Sequence, residues 1–135
     1  MSNLGDVLVY MFPGIRLSLD CEIRTIDGVV TLVNWYRHEP QPTPAEIAAA
    51  ELPAAKSARI EADRQECRRR LTEFYGDALE QGSRFAGGYG EAAQANILAG
   101  TVAARVASNT ARDAVNAATT VEQVEAVTVQ WPVLT

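Results

Sequence analysis

Apolar and polar residues alternate strictly from Ile15 to Arg24, so one face of this segment is apolar and the other is polar. A period of two predicts a β-strand that packs one face against a core. The apolar run before it, Val7 to Phe12, is closed by the turn signal Pro13-Gly14. Periodicity alone leaves this run open as a strand or a short helix.

The dipeptide Asp27-Gly28 lies between two β-rich runs and predicts a hairpin with a two-residue turn. The register that follows is Ile26 with Val29, Thr25 with Val30, Ile23 with Leu32, and Cys21 with Asn34. In this register Trp35 falls on the more polar face. We therefore predict an antiparallel sheet of two or three strands within residues 1–39, with a helix needed on its apolar face.

A long charged helix is predicted over residues 45–81, after a proline-rich joint at residues 40–44. Thr43 is its expected N-cap, with Pro44 in the first turn and Glu46 reaching back to the cap. Pro53 lacks a backbone N–H and predicts a kink or a restart. One narrow apolar stripe runs along the helix and suits packing within the chain or pairing with a partner helix: Ile60, Cys67, Leu71, Phe74 and Ala78.

The second half of the chain has three parts: a glycine-rich loop at 82–90, an alanine-rich helical region at 91–126, and an apolar tail at 127–135. The helical region predicts a helix over Glu91–Ala107 that ends near Ser108, followed by shorter helical turns. One apolar stripe is expected on the first of these helices: Leu98, Val102 and Val106. Thr120 with Gln123 predicts a final capped helix, and the strand-like tail is expected to dock on the body or on a partner.

These patterns predict the α+β class, with a small N-terminal antiparallel sheet, a long helix and alanine-rich C-terminal helices. The chain is acidic, with 12 Lys and Arg against 17 Asp and Glu. Such a balance lacks the basic surface that nucleic-acid binding needs. The sequence also lacks an apolar run of about 20 residues, the length that spans a bilayer, so neither nucleic acid nor membrane is an expected partner.

No catalytic, cofactor or metal constellation emerges from the sequence. His38 is the single histidine and has no neighbouring nucleophile or second ligand, so an ordinary strand-end role is expected. Cys21 and Cys67 lack metal or redox spacing. The run Arg68-Arg69-Arg70 suits either a phosphate or acidic partner or a solvated helix face, since Glu66 and Glu73 flank it. We therefore expect a protein that is not an enzyme and uses no cofactor.

Two segments resemble small proteins of bacteriophage tail modules. Phe12-Pro13-Gly14, Asp27-Gly28, Trp35 and Pro40-Gln41-Pro42-Thr43 are similar to a layout of short tail proteins, with Phe12 where that layout has tyrosine. Residues 54–126 resemble a helical segment of tail-fibre and tail-fibre assembly proteins. The stretches that carry this second resemblance are Ala54 to Ile60, the aromatic-glycine loop, Gln94 to Ile97, and Ala117 to Glu122.

The resemblance implies a non-enzymatic tail component, made in the host cytoplasm, that binds a tail-fibre or baseplate protein in the virion. It also implies a possible homo-oligomer, with a trimer favoured because fibres are usually trimeric. A fibre-assembly chaperone is one alternative, and a small helical regulator or inhibitor of a host protein is another. The residues expected to bind the partner are Trp35, Ile60, Leu71, Phe74, Tyr75, Tyr89 and Trp131.

Overall fold

The structure is a computed structural model that describes residues 3–76 and 90–135. Its elements in chain order are α1 (Leu4–Met11), β1 (Cys21–Ile26), β2 (Val29–Trp35), α2 (Pro44–Tyr75), α3 (Glu91–Ala117) and α4 (Val121–Ala126). The predicted α+β class is confirmed, with a two-stranded antiparallel sheet followed by a long helix and C-terminal helices. The predicted glycine-rich loop, Tyr89 included, lies outside the described residues apart from Gly90.

The first apolar run is a helix, so the N-terminal region is not a purely β region. The Asn3 side chain caps α1 by accepting a hydrogen bond of 2.8 Å from the backbone N–H of Gly5. Val7 and Leu8 of α1 are almost fully buried, whereas Val9 and Tyr10 are exposed. Leu8 packs under the hairpin, while Tyr10 on the other side lines a surface recess of α2.

The first strand begins at Cys21, six residues later than the alternation predicts. Residues 16–20 form a turn instead, because Asp20 accepts hydrogen bonds from both the backbone N–H and the guanidinium of Arg16. Side chains of this kind compete with strand pairing by satisfying nearby backbone groups. Leu19, predicted to face the core, is consequently exposed.

The hairpin turn is confirmed at Asp27-Gly28, where both residues have positive φ, as a two-residue turn of this kind requires. The predicted register holds from the turn to the pair Ile23–Leu32 and then shifts at a bulge, so Cys21 pairs with Trp35 and not with Asn34. The extra residue turns Trp35 to the apolar face, which corrects its predicted position on the polar face.

A first core lies between α1 and the hairpin. Its buried members are Leu8, Ile15 and Cys21, and partly buried residues pack around them: Leu4, Phe12, Leu17, Ile23, Leu32 and Trp35. A two-stranded hairpin is marginal by itself in water. The predicted helix on the apolar face of the sheet is α1, which covers it together with the turn that follows.

The long helix α2 is one unbroken element from Pro44 to Tyr75, with Pro53 inside it. The predicted restart at Pro53 does not occur. The predicted cap is confirmed, since Thr43 accepts from the backbone N–H of Glu46 and Glu46 accepts from that of Thr43. The helix ends before the predicted residue 81, because Gly76 adopts a φ of 84° and caps it.

The predicted break at Ser108 is also absent, and α3 is continuous from Glu91 to Ala117. Alanine-rich sequence with a single internal serine keeps enough helix propensity to continue through that position.

A second core forms where α2, α3 and α4 meet. Its buried members are Val115, Ala118 and Val124, with Leu52, Ala55, Ile60 and Val127 packed against them.

The last helix and the tail are tied to α2 by one arginine. Arg59 donates to both carboxylate oxygens of the buried Asp63, at 3.0 and 3.1 Å. The same guanidinium donates to the backbone carbonyls of Val124 and Val127, just where α4 ends.

The cap of α4 is confirmed, since Thr120 accepts from the backbone N–H of Gln123. The tail beyond α4 has no strand pairing, so the strand-like expectation is not met.

Candidate interaction surface

The face of α3 that points away from the other helices carries three large aliphatic side chains, which we call the outer stripe: Leu98, Val102 and Val106. Their exposed fractions are 65%, 52% and 57%. The sequence predicts these residues on one stripe, and they do lie at i, i+4 and i+8, but the stripe faces solvent and not the core. Three residues smaller than valine lie on the core side of α3, Ala104, Ser108 and Ala111, together with Ile97 and Val115.

The side of α3 that packs on α2 is the one that carries Gly100 and the small residues on the same face. Tyr75 on α2 comes so close to Gly100 that a Cβ added there would lie 1.9 Å from its hydroxyl oxygen. That hydroxyl lies 3.1 Å from the carbonyl oxygen of Asn96. Such a close approach requires glycine at this position, so the side of α3 that carries Gly100 meets α2, and Leu98, Val102 and Val106 remain exposed.

Two of the residues expected to bind a partner line the same groove. Phe74, which is 50% exposed, and Trp131 face a surface groove of about 740 Å³ together with Arg70. The guanidinium of Arg70 lies 5.0 Å from the centre of the Trp131 ring, a cation–π contact that holds the tail on α2. The structure thus brings these two residues together at one end of α2.

The other expected partner residues are used within the chain. Trp35 donates from its ring nitrogen to the carbonyl of Glu39 at 2.7 Å and packs on Phe12. Tyr75 is only 3% exposed, which corrects the expectation that it is available to a partner. Ile60 and Leu71 are half-buried, the first beside the second core.

Ion pairs cover the outer side of α2. Glu66 accepts from Arg69 and from Arg70, both at 2.8 Å, and Arg69 also pairs with Glu73. Hydrogen bonding from Arg69, and next from Arg70, lowers the pKa of Glu66 to about 2. Arg69 and Arg70 of the basic run therefore belong to a local ion-pair network. For these two residues the structure agrees with a solvated helix face and not with a phosphate or acidic partner.

This network predicts a pH dependence of stability. Because the pKa of Glu66 is lower in the folded state, its stabilisation is complete above the ordinary value of 4.5 and is lost as pH falls towards about 2. We expect Glu66→Gln to remove part of the fall in thermal midpoint between these pH values. Glu51→Gln, an exposed carboxylate on the same helix, is the control. Parallel midpoint curves for Glu66→Gln and the wild type would contradict the prediction.

Within residues 3–76 and 90–135, no group of three or more His, Cys, Asp or Glu side chains converges as metal ligands do. His38 is exposed just after β2. Among the described helices, none combines the length and the apolar character needed to cross a membrane.

The chain was also compared with known proteins. No family model, curated protein or solved structure matches it. The resemblance to phage tail proteins therefore depends on the sequence motifs alone. The sequence analysis did not predict that the outer stripe is exposed to solvent. The sequence signal for this exposure is the set of small residues around Gly100, which lie on the opposite side of α3.

Proposed function

We propose that the chain is a non-enzymatic interaction protein whose partner contact is the outer stripe of α3. The proposal depends on a line of three aliphatic side chains that are each more than half exposed: Leu98, Val102 and Val106. Single exposed aliphatic residues are common on protein surfaces. Three in register on one helix face have the spacing by which a helix is held in an apolar groove.

The energetics support a contact of this kind. Transfer of the exposed part of each side chain into an interface contributes about 1 kcal/mol. Three such side chains provide a nucleus for binding, and the surrounding small residues allow a partner surface to approach the helix closely. The helix is already formed and packed on α2, so little ordering is needed when a partner binds.

The partner that we propose is a tail-fibre or baseplate protein of a phage virion, with a trimer as the favoured assembly if the chain self-associates. The sequence resemblance supports this choice of partner. An acidic net charge of −5 is also more compatible with a protein partner than with nucleic acid.

Replacing Leu98, Val102 and Val106 together with glutamine is expected to abolish capture of the tail protein while leaving the fold intact. Glutamine keeps helix propensity and removes the apolar surface. The measurement is a pull-down of the tagged full chain from producing cells, with the fibre or baseplate polypeptide identified by mass. We expect recovery to fall at least tenfold.

Val29→Thr with Val30→Thr provides the matched control, because these exposed residues at the hairpin tip lie outside the stripe and threonine suits a strand. Equal recovery of the tail protein by the triple variant and the wild type would overturn the proposed contact. Purified virions distinguish the two tail roles: a chaperone binds the fibre but is absent from the virion. Recovery of a host protein and no tail protein would favour the regulator.

A further inference from the structure

A cleft between α2 and α3 concentrates positive charge that the chain itself neutralises only in part. It has a volume of about 300 Å³ and is lined by Arg64, Cys67, Arg68, Leu71, Arg105, Ser108 and Asn109. Three of these residues are arginines and none is acidic. They come from both helices, so the charge converges from two sides.

The pairing of the arginines distinguishes this cleft from the rest of the surface. Within the described part of the chain, Arg68 and Arg105 are the arginines without an ion pair, whereas the others each contact a carboxylate. Arg64 has the longest of these pairs, 3.9 Å from Glu61. The two arginines without an ion pair and the one with the longest ion pair therefore line a single concavity on an acidic protein.

This arrangement is unfavourable without a ligand. Arg64 and Arg68 are spaced i, i+4 on α2, where like charges destabilise a helix by a few tenths of a kcal/mol. Arg105 faces the same cleft from α3. An anion seated between them would remove the repulsion and would receive charge-assisted hydrogen bonds.

The other lining residues suit an oxyanion. Ser108, which is 9% exposed, and Asn109 bring neutral hydrogen-bond donors to the cleft. Burial raises the pKa of the Cys67 thiol, and the nearby charge of Arg105 opposes this only in part. The thiol thus forms a neutral wall at physiological pH, next to the apolar side chain of Leu71.

We propose that this cleft binds a doubly charged phosphoryl group, either as free phosphate or as a small phosphate monoester. Guanidinium groups match phosphate oxygens in geometry, and three of them suit a dianion better than a single carboxylate. The apolar wall at Leu71 and the volume of the cleft leave room for a small organic substituent. In the basic run, Arg68 therefore binds the phosphoryl group, whereas Arg69 and Arg70 belong to the ion-pair network.

The test is isothermal titration calorimetry of the full chain with inorganic phosphate and with phenyl phosphate, at constant ionic strength. We expect saturable binding at one site. Arg68→Gln and Arg105→Gln should each weaken it by roughly tenfold or more, the effect of losing a hydrogen bond to a charged group. Arg112→Gln on the same helix as Arg105 is the control, because that residue pairs with Asp113 outside the cleft.

The two probes identify the source of the phosphoryl group. Tighter binding of phenyl phosphate indicates a monoester ligand, and tighter binding of inorganic phosphate indicates free phosphate. Amide chemical-shift changes in the wild-type protein should centre on Arg105, Ser108 and Asn109, a readout that needs no variant. No saturable binding of either probe, binding of a glutamate-rich peptide alone, or equal affinity in Arg105→Gln and the wild type would overturn the proposal. The pull-down with the outer-stripe variant is independent of this result.

Discussion

Replacing Arg59 with methionine is expected to lower the free energy of unfolding by about 2–4 kcal/mol and to release α4 from α2. The substitution keeps an unbranched apolar stem but leaves the buried carboxylate of Asp63 without the Nε–H donor that both of its oxygens share. It also removes the donors to the carbonyls of Val124 and Val127. Urea unfolding followed by circular dichroism measures the loss, and hydrogen exchange over residues 121–127 measures the release.

Two further variants test the cause of this loss. Arg112→Met removes a partly exposed arginine that contacts its neighbour Asp113 at 3.4 Å, and we expect it to cost less than about 0.5 kcal/mol. Adding Asp63→Leu to Arg59→Met should restore part of the stability, because no buried charge is then left unpaired. An Arg59→Met protein as stable as the Arg112→Met control would show that the arginine does not join these elements.

Gly100→Ala is expected to destabilise the protein by about 1–3 kcal/mol, against the trend for alanine in helices. In an exposed helix interior the same change gains up to about 1 kcal/mol. Here the new Cβ would lie 1.9 Å from the hydroxyl oxygen of Tyr75, which is only 3% exposed. The helices must therefore separate, and thermal or urea unfolding would measure the cost.

A double-mutant cycle isolates the overlap. Tyr75→Phe removes the hydroxyl, so Gly100→Ala should cost less in that background, although the ring carbon at 2.8 Å still limits the approach. Ala103→Gly, at an exposed position of the same helix, calibrates the propensity contribution. A net gain of stability in Gly100→Ala would show that α2 and α3 are not held at this distance.

Local signals predicted the parts of the fold that depend on a few neighbouring residues. The turn at Asp27-Gly28 and the cap formed by Thr43 and Glu46 each require groups that are close in sequence, and the structure has both. The bulge before Trp35 depends on contacts with Phe12 and Glu39, which the alternation of side chains does not encode. The register could therefore be predicted only near the turn.

The packing of α3 shows why the sequence does not reveal which of its faces is exposed. Its sequence contains two helical stripes, and hydrophobicity favours burial of the one with Leu98 and Val102. The close approach at Gly100 selects the other stripe, and that choice depends on the position of Tyr75 in a different helix. Phe74 and Trp131 could be chosen as surface aromatics, but their shared groove requires the path of the tail along α2.

The contacts of α1 with both the hairpin and α2 have a consequence for the order of folding during synthesis. Leu8 covers the hairpin, while the helix that lies on the other side of α1 begins only at Pro44. Residues 3–36 therefore leave the ribosome before their support exists, since synthesis proceeds at about 5–20 residues per second. The hairpin turn can form in this interval. Stable burial of the apolar face of the hairpin requires α1 to be packed on α2.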